Sequence, residues 1–582
     1  MNSASTLITI LLAINICVFL SFIFTKHYFP FFIFINILSI IILWGIVWKE
    51  YVHRSIVAHK GKEILIVLGL FGVAFLVRLY GIENVTPGMY GDEVTVAVQS
   101  LQLLNQKEWL PFIGNYSHPT PLLYMTAASI EVFGHTITAV RLPSILFGAL
   151  TVGAFYILLR IHLPGKFALL GAILLLFQYS HIVLSRLAYE PAAALFFQVL
   201  TVIFLSLYYK TKEKYVLVAI ALVVGIGLYT YLSFRAFAIA IVLMTFLVLW
   251  KQTTKNRLQQ AALFISILFI AAMPLFSYAI IDGQGFGART SEISLFSRGY
   301  ASEELVRELS ANVYRTITLP FIGIPGSNPP SIGDPNPGKN PSGVTIFDPI
   351  TTIFVIIGFV YLFRYKRGLF YIVLLLLLPA IISDIFSTEV IPNLHYYGLG
   401  HPNMLRISGI IIVILFVATY GLYAFFTWIG KDKGVIAVSC LVGFACLINW
   451  FWYFGQANIT RTFYLYNYKV NKTDVIQMIT YVNASSAKKV SMTTTLAENR
   501  EYIAFFLHPD SNVSQFALNE RTNILDIITQ SDVTVIEINP STIAAVNALL
   551  TTDALNSGTI TMHEIKGVVD QPDIVVFEKV IH

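Results

Sequence analysis

Residues 63–100 read EILIVLGLFGVAFLVRLYGIENVTPGMYGDEVTVAVQS. Residues 63–80 are almost wholly apolar, and a run of roughly 18 or more such residues matches a hydrocarbon core about 30 Å thick. Gly81, Pro87 and Gly88 then break the run. Two adjacent acids, Asp92 and Glu93, open an amphipathic stretch directly afterwards. A chain that leaves the membrane and at once presents two carboxylates has either capped a helix or placed chemistry there.

The rest of the sequence repeats the apolar part of this pattern. Of 582 residues, 56% are hydrophobic and only 12% charged, against about 25% charged in globular proteins. The apolar runs predict spans near 5–24, 30–48, 63–80, 139–160, 166–184, 191–209, 215–232, 236–250, 261–281, 350–364, 369–388, 406–428 and 435–455, about thirteen in all. The fold class expected is an α-helical polytopic membrane protein. The net charge of +6 sits in short connecting loops and points to no nucleic acid.

Those loops orient the chain by the positive-inside rule. With the N-terminus in the cytoplasm, the cytoplasmic loops hold Lys49, Arg54, Lys60 and Lys62, then Arg160 and Lys166, then Lys210, Lys212 and Lys214. Lys251, Lys255 and Arg257, then Arg364, Lys366 and Arg367, and finally Lys431 and Lys433 complete the series. This is the pattern of a multi-pass plasma (inner) membrane protein. Residues 1–62 then supply two spans and a cytoplasmic loop. Residues 63–455 form the membrane core, with outer loops at 81–138 and 282–349. Residues 456–582 form an extracytoplasmic α/β domain, in which KKVSMTTT, SDVTVIEIN, GTITMHEIKG and DIVVFEKV read as strands. ENREYIAFFLH and STIAAVNALL read as its helices. The stretch 319–349 is too rich in Pro and Gly for a helix, and long irregular loops are usually functional or disordered.

In the first outer loop, DEVTVAVQSLQLLNQ places Val94, Val98, Leu101 and Leu104 on one helical face. PLLYMTAASIEVFG is a second short helix after the turn SHPTP. Both suit helices lying in the interface plane. Asp92 stands where an N-cap belongs, its carboxylate within reach of the Thr95 N–H. One acid is enough for a cap, however, and ionisable groups near the bilayer usually face a cavity.

The outer ends of later spans carry Arg141, Arg186 with Glu190, Arg235, Arg289 with Arg298, and His401 with Arg406. One such Arg is readily explained by snorkelling. Several at one membrane depth beside an acid suit a bound anion such as a lipid phosphate.

Four blocks resemble the C-type glycosyltransferases of family 39, relatives of the protein O-mannosyltransferases and of the enzymes that add aminoarabinose to lipid A. They are FLVRLYGIENVTPGMYGDEVTVAVQSLQLL, HPTPLLYMTAASIEVFGHTITAVRLPSILFGALT, LLLFQYSHIVLSRLAYEPAAALFF and GIGLYTYLSFRAFAIAIV. Two spans precede the motif-bearing one, and STEVIPNLHYYGLGHPNMLRISG looks like an expanded form of a shorter block. The resemblance implies a C-type glycosyltransferase fold and a sugar donor carried on a polyprenyl phosphate. The acceptor hydroxyl then belongs to a protein, a lipid or a glycan. A phosphate leaving group needs charge stabilisation more than a proton, so one base with surrounding cations suffices. Under that implication Asp92 is the general base of an inverting displacement and Glu93 orients a substrate. Arg186, Arg235 and Arg406 hold the donor phosphate, and His118 lines the acceptor side. Tyr90, Arg141, Glu190, Arg289 and His401 are further substrate-binding candidates, and the loop near 319–349 is a candidate lid.

Two other classes share the topology: a flippase or transporter for a polyprenyl-linked sugar, and a surface-glycan polymerase or ligase. Transporters often show internal repeats, and none is visible here. No cofactor is indicated. A divalent ion on Asp92 and Glu93 is conceivable but not favoured, because no Asp-x-Asp spacing supports it.

Overall fold

The computed structural model describes residues 3–52, 61–85, 87–104, 109–113, 118–322, 344–388, 402–455, 472–485, 487–516, 524–537, 560–566 and 572–579. The chain forms two compact units. One comprises Met1–Tyr80, Leu103–Met125 and Arg141–Gln456, and the other comprises Gly81–Gln102, Thr126–Val140 and Ala457–His582.

The first unit is helical. All thirteen expected runs are helices: Ser3–Thr25, Pro30–Val47, Gly61–Leu79, Ile137–His162, the pair Gly165–Phe177 and Tyr179–Arg186, Pro191–Thr211, Lys214–Gly227, Phe234–Trp250, Thr254–Ile281, Pro349–Tyr365, Arg367–Ile385, Ile410–Ile429 and Lys431–Trp450. Among the described residues, eight helices are long and apolar enough to cross a membrane, or nine counting the bent pair as one span. Lys214–Gly227 has 14 residues, about 21 Å at 1.5 Å per residue, short of the hydrocarbon thickness. Gly61–Leu79 is long enough but carries Lys62, Glu63 and Arg78. The protein is a multi-pass membrane protein, and its spans are less uniform than the apolar runs suggest.

Two devices hold this bundle. Interhelical polar pairs are one: Asn36 donates to the Asn15 side-chain oxygen at 2.8 Å and to the Ile270 carbonyl at 2.7 Å, and Asn15 donates to Ser39 at 2.9 Å. Close backbone approach is the other. A Cβ at Gly358 would collide with the Val417 carbonyl, and one at Gly421 with the Phe354 carbonyl, so the helices Pro349–Tyr365 and Ile410–Ile429 meet at paired glycines.

Gly165–Phe177 and Tyr179–Arg186 meet at 56°, where Gln178 leaves helical geometry at ψ 115°. Backbone groups freed inside a membrane must be paired internally. Here the Tyr179 N–H donates to the Asn449 side-chain oxygen at 2.8 Å, and the Gln178 side chain donates through Nε2 to the Ile346 carbonyl at 2.7 Å. Asn449 in turn donates to the buried Asp348 carboxylate at 2.9 Å.

The second outer loop is more helical than its composition suggests. Gly283–Ile293 and Ser302–Ile322 are helices, so Leu319–Ile322, expected as irregular, form the last turn of the second. Pro320 lies inside the helix, two residues before its end, where its ring removes one i→i−4 hydrogen bond. The Phe347 N–H donates to the Pro320 carbonyl at 3.0 Å, and the rings of Phe321 and Phe347 stack 5.3 Å apart. Residues 323–343, the middle of the proposed lid, lie outside the described residues.

The second unit contains a five-stranded sheet. We number β1 Phe112–Ile113 and β2 His118–Pro119 in the first unit, then β3 Lys489–Thr493, β4 Asn512–Phe516, β5 Val533–Glu537, β6 Ile560–Lys566 and β7 Pro572–Lys579. The order is β4-β3-β5-β7-β6, with β3 parallel to β4 and β5, and β7 antiparallel to β5 and β6. Four of these strands match the sequence expectation. The fifth, β4, is an edge strand of sequence NVSQF that is mostly exposed, so it lacks the apolar alternation that marks a strand. The helix Arg500–Phe506 is present, whereas the expected helix at 541–550 lies outside the described residues.

Candidate active site

The helix carrying the paired acids spans Gly91–Leu104. The N–H groups of Glu93 and Val94 both donate to the Tyr90 carbonyl, at 2.9 and 3.2 Å, which makes Tyr90 the N-cap residue. The expectation that Asp92 caps the helix therefore shifts by two positions. Glu93, at the third helical position, accepts the Tyr90 N–H on Oε2 at 3.2 Å, the reach-back half of a capping box. Glu93 is fully buried, and Asp92 beside it is exposed. The buried positions of the helix are Glu93, Val94, Val96, Ala97, Ser100 and Leu103. Leu104, expected on the apolar face, is 47% exposed. The stripe is rotated because it includes the polar Glu93 and Ser100, each with a local hydrogen-bond partner.

Other parts of the same unit tie down both flanks of the motif. The Tyr502 hydroxyl donates to the Met89 carbonyl at 2.8 Å. The Thr95 hydroxyl lies 2.6 Å from Glu501 Oε2 and 3.1 Å from the Gly91 carbonyl. His135 Nδ1 donates to the Phe505 carbonyl at 2.6 Å, with its ring stacked on that of Phe505 at 5.0 Å. Burial, and then the nearby Glu93 and Glu501 carboxylates, push the Tyr502 hydroxyl above its ordinary range, so it stays a protonated donor.

The candidate cations belong to the helical unit, and they differ in what already engages them. Arg186 is 1% exposed. Its Nε donates to the Tyr453 hydroxyl at 2.9 Å, and one terminal nitrogen donates to the Arg78 and Tyr80 carbonyls at 2.7 and 2.6 Å. Its guanidinium lies 5.3 Å from the ring centres of Tyr453 and Phe454, so much of it is committed to the C-terminus of Gly61–Leu79. Arg406 is buried and donates to Ser387 Oγ at 2.8 Å. Ser387 belongs to a polar group in which Asp384 accepts from the Thr316 hydroxyl at 2.6 Å and the Asn403 N–H at 3.0 Å. Arg235 is the least engaged: half-buried, with one long bond to the Phe286 carbonyl at 3.4 Å, it lies over the Phe286 ring at 4.0 Å.

Arg141 is fully buried and Glu190 nearly so. Arg289 pairs with Glu292 at 2.7 Å on the surface. His118 lies in β2, its backbone opposite Ile113, and His401 lies outside the described residues. Among the described residues, no group of three or more His, Cys, Asp or Glu could hold a metal ion.

Two features escaped the sequence reading. Arg78 is fully buried and donates to Ser185 Oγ at 2.9 Å, to the Ala74 carbonyl at 3.0 Å and to His181 Nδ1 at 2.6 Å. Asp384, also fully buried, anchors the group around Arg406. Each is a lone charge inside an apolar run, a signal that an intramembrane functional or structural site leaves in sequence.

Residues 117–278 match the family described as dolichyl-phosphate-mannose-protein mannosyltransferase. The crystal structure of ArnT from Cupriavidus metallidurans bound to undecaprenyl phosphate aligns over 90% of this chain and 99% of its own, at TM-score 0.51 and 12% identity. The chain has the C-type glycosyltransferase fold. The same ArnT in the apo state covers 89% of this chain and 98% of its own, at TM-score 0.47 and 12% identity. The protein O-mannosyltransferase Pmt1-Pmt2 complex of S. cerevisiae, bound to its sugar donor, covers 40% of this chain and 36% of its own, at TM-score 0.33 and 19% identity. No curated protein matches the chain in sequence. The resemblance to C-type glycosyltransferases drawn from the motif blocks is borne out. The stretch matching the mannosyltransferase family contains His118, Arg141, Arg186, Glu190 and Arg235, while Asp92 and Glu93 precede it.

Proposed function

We propose that this protein is a membrane glycosyltransferase. It moves a sugar from a polyprenyl-phosphate donor to an acceptor hydroxyl at the extracytoplasmic face. The observation that carries this reading is the match of residues 117–278 to a family named for a polyprenyl-phosphate-linked mannose donor. The ArnT structure that shares the fold holds undecaprenyl phosphate, which supports the same donor class.

In this reading Asp92 is the general base. Its exposed carboxylate takes the proton of the acceptor hydroxyl as that oxygen bonds to the anomeric carbon. The bond from the anomeric carbon to the phosphate oxygen breaks, and its electron pair leaves with the polyprenyl phosphate. A single displacement of this kind inverts the anomeric configuration. Arg235 is the first candidate to receive the phosphate charge, because its guanidinium is the least committed of the three. Arg186 and Arg406 are the further candidates for that charge, each also holding carbonyl or hydroxyl groups of its own unit. Glu93 acts through the turn: by holding the Tyr90 N–H, it fixes the direction in which Asp92 points. The N-terminus is cytoplasmic and the C-terminal domain extracytoplasmic, as the distribution of basic loops implies.

The test is incubation of purified protein in liposomes with a panel of radiolabelled polyprenyl-phosphate sugars. Release or transfer of label from one donor supports the reading. No turnover of any donor, together with facilitated movement of the lipid between leaflets, would replace it with a flippase. Repeating the assay with a chelator decides whether a divalent ion takes part.

A further inference from the structure

The tail holds the acid-bearing helix at both sides of the motif, through one short helix. Arg500–Phe506 presents Glu501, Tyr502 and Phe505 in succession. Tyr502 bonds the carbonyl of Met89, three residues before Asp92, and Glu501 accepts the hydroxyl of Thr95, three residues after it. Phe505 supplies a carbonyl and a ring to His135, which follows the second helix of the same loop. Each contact spans more than 360 residues of chain.

Met89 is fully buried and Tyr502 6% exposed, so water is a poor substitute for this bond. Thr95 Oγ1 carries a single proton, and the carboxylate is the stronger acceptor. A clamp on both flanks removes the two freedoms that would otherwise blur the position of Asp92: rotation of the turn at Met89–Tyr90 and fraying of the first helical turn.

We propose that the helix Arg500–Phe506 is a positioning element for Asp92, with Tyr502 and Glu501 as its positioning residues. The C-terminal domain then sets the turnover rate of the site instead of serving as a separate module. The inference rests on Asp92 as the base. Its logic is geometric: a reacting group displaced by about 1 Å can lose on the order of 10²-fold in rate.

The test uses the full-length protein in nanodiscs, with Tyr502→Phe, Thr95→Val and Thr95→Ser. The readouts are kcat and KM for whichever radiolabelled polyprenyl-phosphate sugar the wild type turns over, and hydrogen exchange of the amides around residues 88–95. Tyr502→Phe keeps the ring and loses only the hydroxyl. The expected result is faster exchange in this segment and a kcat lowered about ten-fold or more, with donor KM within about two-fold. Thr95→Val should behave likewise, and Thr95→Ser, which keeps the hydroxyl, should restore the wild-type rate. A kcat within about two-fold of wild type in both Tyr502→Phe and Thr95→Val overturns the proposal. So does a loss confined to thermal stability, or a loss that Thr95→Ser shares. Failure of the base assignment registers separately, as wild-type turnover by Asp92→Asn, and the exchange measurement does not depend on it.

Discussion

The Glu93 carboxylate reaches back to the Tyr90 N–H, with Oε2 3.2 Å from the nitrogen, while Asp92 stands exposed on the same helical turn. Two adjacent acids thus have different work. Replacing Glu93 with Ala removes the acceptor and leaves a cap unmade, at a cost of about 1 kcal/mol. Glu93→Gln keeps an acceptor oxygen and should recover most of that loss. Thermal unfolding of the purified variants checks the order: wild type, then Gln, then Ala.

Arg235 and Arg186 should fail in different ways. Arg235→Ala removes a lightly engaged cation, so donor KM should rise roughly ten-fold or more while the protein remains folded. Arg186→Met strands the Arg78 and Tyr80 carbonyls and the Tyr453 hydroxyl, each at about 1–3 kcal/mol if left unpaired. That variant should show a lowered unfolding temperature and poor yield whatever the substrate. A steady-state comparison at matched folded fraction separates the two.

The paired glycines make a prediction about packing alone. Gly358→Ala and Gly421→Ala each force a methyl group against a facing backbone carbonyl, and overpacking of this kind typically costs about 1–3 kcal/mol. Because both substitutions strain one helix crossing, the double variant should depart from additivity. Unfolding midpoints of the two single variants and the double variant test this.

What could be read from the sequence follows from the range of the forces involved. The thirteen apolar runs were legible because a membrane-crossing helix needs an uninterrupted apolar stretch whose length the bilayer sets, although among the described residues only eight or nine of the resulting helices are long and apolar enough to cross. The helix at Gly91 was legible because its burial is periodic, and β3, β5 and β7 because they are short, nearly continuous buried runs rich in apolar residues. The edge strand β4 was not, because it pairs on one side and stays exposed. Ser302–Ile322 was obscured by the Pro and Gly residues that follow it. The cap was misplaced by two residues because Asp92 and Glu93 satisfy the same local pattern, and only geometry shows which carboxylate turns back. The bonds from Tyr502 and Glu501 join residues more than 400 apart, beyond what local periodicity can report. The charge of Arg186 was legible, but its bonds to the Arg78 and Tyr80 carbonyls were not, because they join residues more than 100 apart.

The most direct test of the central claim compares wild type with Asp92→Asn, using the radiolabelled donor that the wild type turns over. Asparagine keeps the size of the side chain and cannot take a proton. The account predicts a rate about 10²–10⁴-fold lower, with donor binding and unfolding temperature unchanged. Transfer by Asp92→Asn at the wild-type rate would contradict it.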